Sequence, residues 1–285
     1  ECEDCLLGVE ENKDILGIIK GFMRVHGIRP YDETTHKGLV RHALIRKGFH
    51  SGEIMVCLVI NGKDIPAKEQ LVEELCQVKG MTSISYSINQ EKTNVIMGKE
   101  IVNLYGPGYI TDNIGNVTYQ ISSLSFYQVN PVQTEILYTK AIEYAGLTGK
   151  ERIVDAYCGI GTIGMVASAK AKTVIGVELN QDAVRDAINN AKMNQISNIR
   201  FFCNDAGRFL VNMAEAGEKA DVVIMDPPRS GSTEEFMDSI AKMVPQELNI
   251  TLDRALKTNP EFKTLYDTNE QVKELVDMSM RLEGL

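Results

Sequence analysis

From residue 150 to 245 the chain alternates between two kinds of apolar spacing. Short unbroken apolar runs, such as Ile153-Val154 and Val222-Val223-Ile224-Met225, are separated by longer stretches in which apolar residues recur every three to four positions. Runs of the first kind suit strands buried on both faces, and stretches of the second kind suit helices that cover a sheet. The pattern predicts strand 152–156, helix 162–170, strand 172–178, helix 181–194, strand 199–203, helix 206–214, strand 220–226 and helix 233–243. Such alternation is that of a parallel, doubly wound α/β sheet, which binds ligands at the carboxyl ends of its strands.

The half before it is patterned differently. Ile15, Ile18, Ile19, Phe22 and Met23 mark an amphipathic helix from 12 to 26. Residues 38–48 and 53–61 read as two strands of a hairpin joined through Phe49-His50-Ser51-Gly52. A helix at 68–78 and strand runs at 82–89, 94–97, 101–104 and 117–122 complete an α+β lobe, and a helix at 132–144 leads into the alternating region. The expected division is therefore an α+β domain at 1–125 and an α/β domain at 126–245. Near 245 the alternation stops. The stretch from Gln246 to Leu285 carries much charge, with Leu265, Val272, Leu275, Val276 and Met280 spaced for one or two amphipathic helices.

Composition narrows the class without deciding it. A chain of 285 residues with 44% apolar and 24% charged residues has enough for full cores. No apolar run is long enough to span a bilayer and no charged-then-apolar leader opens the chain, which leads to the expectation of a cytoplasmic protein. Six scattered cysteines suit reduced thiols in the same setting, and Cys2 and Cys5 have no second pair with which to hold a metal. A net charge of -9 argues mildly against a broad phosphate-binding surface.

Chemistry gathers at three strand ends. The segment Asp155-Ala-Tyr-Cys-Gly159-Ile-Gly161-Thr-Ile-Gly164 has glycines at G-x-G-x-x-G spacing between a strand and a helix. Glycines so placed let backbone approach a ligand closely, and a dinucleotide is the usual one. Glu178, nineteen residues past Gly159, ends the next strand and suits a pair of ribose hydroxyls. Asp205 follows the third strand, placed for an adenine amino group or for capping a helix, and Asp226-Pro227-Pro228-Arg229 follows the fourth. Asp155 stands where dinucleotide folds more often carry an apolar residue, and Asp226-Pro-Pro-Arg229 resembles the fourth motif of S-adenosylmethionine-dependent methyltransferases, which turns the reading toward a methyl-donor site. On the 38–48 strand, Arg41, His42, Arg46 and Lys47 form either a solvated face or a phosphate contact.

Taken together, Leu39-Val-Arg-His-Ala-Leu-Ile-Arg-Lys47, Ser125-Phe-Tyr-Gln-Val-Asn-Pro131, the glycine segment, Gly176-Val-Glu178 and Asp226-Pro-Pro-Arg229 resemble the uracil-C5 RNA methyltransferases, notably the bacterial enzymes acting on 23S ribosomal RNA. The resemblance covers roughly residues 1 to 244. It implies a Rossmann-like class I methyltransferase domain, an incomplete one given the break near 245, preceded by a smaller α+β domain facing RNA. It implies S-adenosylmethionine as cofactor, with Gln128, Tyr157, Glu178 and Asp226 as contacts and the Gly159 and Gly161 backbone along the methionine moiety. Asp226 then sits where the methyl group meets the base, and RNA is the expected partner, with Arg41, Arg46 and Phe126 as candidate contacts.

The family's chemistry also needs a cysteine thiolate to add to C6 of uracil and a base to take the C5 proton. None of Cys2, Cys5, Cys57, Cys76, Cys158 and Cys203 stands in the Ser-Cys-Asn/Asp-Pro context of that nucleophile, and the general-base glutamate has no counterpart. The chain is therefore expected to lack a complete catalytic set. The departures keep three other readings open: an amino-group methyltransferase, although Arg229 stands where those carry an aromatic residue, a nicotinamide oxidoreductase, and a module that binds RNA or cofactor without turnover. Residues from about 240 to 285 resemble instead a piece of the bacterial DNA polymerase III alpha subunit, on the strength of the segments 244–253 and 272–285, which implies a chimeric chain.

Overall fold

Helix α1 (Asn12–Val25) forms where Ile15, Ile19 and Phe22 recur at one- and two-turn spacing, and those three are its buried residues. It ends at Gly27, whose φ of 62° lets the amides of Gly27 and Ile28 return to the carbonyls of Arg24 and Met23 at 3.3 and 2.8 Å. That double closure satisfies carbonyls the helix end would leave open. The structure, a computed structural model, describes residues 8–128, 130–227 and 231–244. Cys2, Cys5, Pro228, Arg229 and the helices expected over 246–285 lie outside the described residues.

Strands β1 (Val40–Lys47) and β2 (Ile54–Ile60) pair antiparallel, as the hairpin pattern predicts. All seven β2 side chains are buried, as an unbroken apolar run requires. Helix α2 (Lys68–Leu75) returns the chain so that β3 (Met81–Ile88) lies parallel to β2, and β4 (Glu100–Tyr105) lies antiparallel to β3. One face of this sheet meets the buried sides of α1 and α2 in a core of Ile15, Phe22, Leu71, Val56, Leu58 and Ile84. The run at 94–97 makes no strand, and Val95 and Ile96 stand exposed in the loop before β4.

Strand β5 (Tyr109–Ile114), which the pattern did not reveal, pairs antiparallel with β6 (Val117–Ser122). Asp112 hides its apolar alternation, yet that buried carboxylate is satisfied by the Phe49 and His50 amides at 2.9 and 2.8 Å. The apolar side of the hairpin, with Ile110, Tyr119 and Ile121, shares one core with Ile153, Val174 and Ile199 of the parallel sheet. A division at residue 125 cuts through that core.

Helix α3 (Pro131–Ala145) starts at Asn130, whose side chain caps the Gln133 amide, and is followed by β7 (Arg152–Ala156), α4 (Thr162–Ser168), β8 (Thr173–Glu178), α5 (Gln181–Met193), β9 (Ile199–Cys203), α6 (Ala206–Glu215), β10 (Val222–Met225) and α7 (Glu234–Met243). Each lies within a few residues of its predicted bounds. The four strands are parallel in the order β10-β7-β8-β9. Helices α4 and α5 contribute to the core on one face and α6 and α7 to the core on the other, so the sheet is doubly wound. Among the described residues no helix is long and apolar enough to cross a membrane.

The outer edge of β6 meets a helix in place of another strand. Asn190 accepts from the Gln120 amide at 2.7 Å and donates to its carbonyl at 3.4 Å, and Asn194 does the same for Thr118 at 2.9 and 2.6 Å. Four residues of helix rise about 6 Å and two residues of strand about 6.8 Å, so amides one turn apart match alternate strand residues. An edge that would otherwise bury unpaired backbone is thereby closed.

Candidate active site

The loop between β7 and α4 and the first turn of α4 hold their glycines for three different reasons. A Cβ on Gly159, where φ is 55°, would meet nothing within 4 Å, so this glycine supplies a left-handed turn beside open space. A Cβ on Gly161 would lie 2.7 Å from the Phe201 ring, so that glycine lets β9 and the loop close on each other. A Cβ on Gly164 would lie 2.7 Å from Asp155 Oδ2, the same oxygen that accepts from the Gly164 amide at 2.9 Å. Tyr157, without the freedom of glycine, holds a φ of 64°, a strained conformation of the kind that concentrates at ligand sites.

Around this loop lies a cavity of about 430 Å³, within the usual range of small-molecule sites. The segments 126–128, 155–163 and 224–226 line it together with α3. Gln128, Tyr157, Gly159 and Asp226, proposed from separate parts of the sequence, all reach its wall. Phe126 stands on its rim, 69% exposed. Glu178 lies just behind the loop, accepting from the Gly159 amide at 3.1 Å and the Asn180 amide at 2.8 Å. Asp205 is exposed and accepts from the Arg208 amide at 2.9 Å, so the structure assigns it the helix-capping role, and it does not line the cavity.

Asp155 contributes more than the sequence suggested. It is 2% exposed, and burial pushes its carboxyl up from 3.8 to about 7 against the lowering hydrogen bond from Gly164. The Asp226 and Glu178 carboxylates push in the same direction. Tyr138 on α3 also went unread: its hydroxyl bonds Thr162 Oγ1 at 2.8 Å, joining α3 to the first turn of α4 along the cavity.

The expected basic contacts on β1 are corrected by their burial. The Arg41 side chain is 2% exposed, with its guanidinium 4.5 Å from the Tyr31 ring centre and donating to the carbonyls of Asn89 and Glu91 at 3.0 and 2.8 Å. It ties the 89–91 turn to the sheet, and two of its donor hydrogens are committed to that turn. Arg46 has one guanidinium nitrogen, Nη1, sealed from solvent without a partner, and burial lowers its pKa.

Three of the four described cysteines, Cys57, Cys76 and Cys158, are held toward the thiol form. Burial pushes the Cys57, Cys76 and Cys158 thiols up, and at Cys158 the Asp155 and Glu178 carboxylates add to the effect. Cys203 is exposed at the end of β9, donating toward the Leu179 carbonyl. Among the described residues no group of His, Cys, Asp and Glu could hold a metal ion.

A parallel β10-β7-β8-β9 sheet with a glycine loop after β7, an acid ending β8 and an acidic loop after β10 defines the Rossmann-like fold of S-adenosylmethionine-dependent methyltransferases. The likeness to a solved structure agrees: the tRNA (uracil-54, C5)-methyltransferase of Pyrococcus abyssi, in complex with S-adenosyl-L-homocysteine, superposes with a TM-score of 0.72 at 24% identity, over 85% of this chain and 57% of that one.

By sequence the chain is a relative of proteins named RNA methyltransferases. It is 42% identical over 249 residues to an "uncharacterized RNA methyltransferase" of Clostridium tetani, covering 87% of this chain and 54% of that protein. A second, from Halalkalibacterium halodurans, is 38% identical over 281 residues, 98% of this chain and 61% of that protein. The chain thus spans little more than half the length of the curated relatives it matches. A family model described as "Conserved hypothetical protein 95" matches residues 136–276, just under half of the chain. Similarity therefore runs on past residue 245, which counts against the foreign origin expected for the C-terminal stretch.

Proposed function

We propose that this chain is the donor-binding part of an S-adenosylmethionine-dependent RNA methyltransferase that acts on C5 of uracil, with 23S ribosomal RNA as its target. The observation that carries the reading is the convergence of Gln128, Tyr157, Gly159 and Asp226 on one cavity beside Glu178. The open space over Gly159 and the acids at the strand ends fit an adenosine carrying a cationic sulfonium. When bound, the cofactor supplies an electrophilic methyl group. Glu178 holds the ribose hydroxyls with the acceptor capacity its two backbone hydrogen bonds leave free. Tyr157 and the Gly159 backbone would hold the methionine portion, with Gln128 a further contact and Asp226 near the reacting end. Asp205, the remaining candidate, lies outside the cavity lining and would have only its second carboxylate oxygen for an adenine amino group, since the first caps α6.

Phe126 offers its exposed ring for stacking an unpaired base at the rim. Uracil C5 is a weak carbon nucleophile until a thiolate adds to C6, and the buried thiols of Cys57 and Cys158 are held in the unreactive form. On this reading the chain by itself binds donor and RNA without completing the transfer.

Calorimetric titration with S-adenosylhomocysteine and with NAD tests the proposal. The parent chain binds the former and not the latter. Glu178→Ala weakens binding by roughly 2–4 kcal/mol through loss of charge-assisted hydrogen bonds. Unchanged affinity in that variant would remove Glu178 from the site, and binding of NAD alone would overturn the methyl-donor reading.

A further inference from the structure

The amide ladder between α5 and β6 continues one turn toward the start of α5, where its chemistry changes. Asp186 stands four residues before Asn190, opposite Ser122, two residues beyond Gln120. In place of a backbone pair it takes two hydroxyls: its Oδ2 accepts from Ser122 Oγ at 3.0 Å and from Ser125 Oγ at 2.8 Å. The two serine oxygens lie 2.7 Å apart, and the Ser122 amide donates to Ser125 Oγ at 3.1 Å. Ser125 is 1% exposed, so its hydroxyl has no recourse to bulk water. The carboxylate accepts from both hydroxyls on one oxygen, which a neutral amide oxygen in the same place does less well because it lacks the charge.

The position of this knot gives it consequence. Ser125 is followed immediately by Phe126, Tyr127 and Gln128, the segment that forms one wall of the cavity. Helix α5 begins three residues after Glu178, capped by Asn180, whose own amide donates to Glu178. One carboxylate thus links the helix anchored beside Glu178 to the strand end that carries Gln128. We infer that Asp186 is a positioning residue: it sets the Phe126–Gln128 wall at its distance from the glycine loop, so that Gln128 and the loop meet the same ligand. The inference rests on the reading of the cavity as the donor site.

Two measurements on the full chain test it. In amide hydrogen exchange without ligand, Asp186→Ala speeds exchange of segment 123–128 at least tenfold while segment 157–164 changes less than twofold, and Asp186→Asn falls between parent and alanine variant. Equal exchange of 123–128 in parent and Asp186→Ala overturns the positioning role, and so does a uniform rise over the whole chain. Should Asp186→Ala fail to fold, Ser125→Ala, which removes one donor and leaves the carboxylate paired with Ser122, is read by the same criteria.

The second measurement is a double-mutant cycle with S-adenosylhomocysteine. Gln128→Ala weakens binding about tenfold in the parent and less than twofold in the Asp186→Ala background. Additive losses overturn the coupling between the two residues. Absence of any binding to the parent chain overturns the donor reading of the cavity, and the exchange experiment then decides the knot by itself.

Discussion

The Asp155→Asn substitution keeps the shape of the side chain and an oxygen for the Gly164 amide while removing the ionisable group. The carboxyl has a folded pKa of about 7 against an ordinary 3.8, raised first by burial and then by Asp226 and Glu178. Below about pH 4 it is protonated in the folded and unfolded chain alike and contributes nothing to pH dependence. Between pH 4 and 7 the unfolded chain ionises first, so the folded state holds the extra proton and stability falls as pH rises. Above pH 7 both forms are ionised and the penalty stays constant, at roughly 4 kcal/mol by linkage. Water entry and relaxation around a buried charge make that figure an upper bound. Urea denaturation of parent and variant from pH 4 to pH 8 measures the difference. The two chains should be equally stable near pH 4, and the variant should gain steadily until it exceeds the parent by several kcal/mol near pH 8. Parallel curves over that range would refute the reasoning, because they would mean that the carboxyl ionises as readily in the fold as out of it.

Arg41→Ala should destabilise the fold by roughly 2–4 kcal/mol, since it removes two hydrogen bonds from a charged group and a stacking contact, while leaving the salt dependence of RNA binding unchanged; denaturation and binding across a salt series check the two parts separately. The parent chain should form no covalent adduct with 5-fluorouracil RNA and transfer no labelled methyl to uracil-containing RNA; a gel-shifted adduct would mean that one of its six cysteines is a working nucleophile.

The α/β half was legible because its signals are redundant. Most strand ends are marked more than once: by an apolar run, by the helix that follows, and after β8, β9 and β10 by a cap, Asn180, Asp205 or Thr233. An error in one marker is corrected by the others. The α+β half lacks that redundancy. The run from Asn94 to Met97 has the composition of a strand and no partner to pair with, whereas Tyr109–Ile114 pairs along its whole length despite Asp112 and Asn113. Pairing is settled by what lies opposite, and a local pattern does not carry that information.

The site divides along the same line. Gly159 could be placed from the glycine spacing at a strand end, whereas Tyr157 and Asp226, which line the same cavity, were chosen on the resemblance. Arg41 was misread for a nonlocal reason. A charged residue on an edge strand reads as solvated, and only the fold brings the Asn89 and Glu91 carbonyls and the Tyr31 ring around it. Asp186, Asn190 and Asn194 drew no reading from the sequence, because polar residues one turn apart on a helix have the pattern of a solvent face. In the fold, Asn190 is fully buried and faces a strand edge. Helix periodicity gives the direction of a side chain relative to its neighbours on the helix, but it does not say whether the groups opposite are water or unpaired backbone. Where they are backbone, burial of a polar stripe costs nothing that its hydrogen bonds do not return, and the sequence signature of an exposed face becomes that of an internal seam.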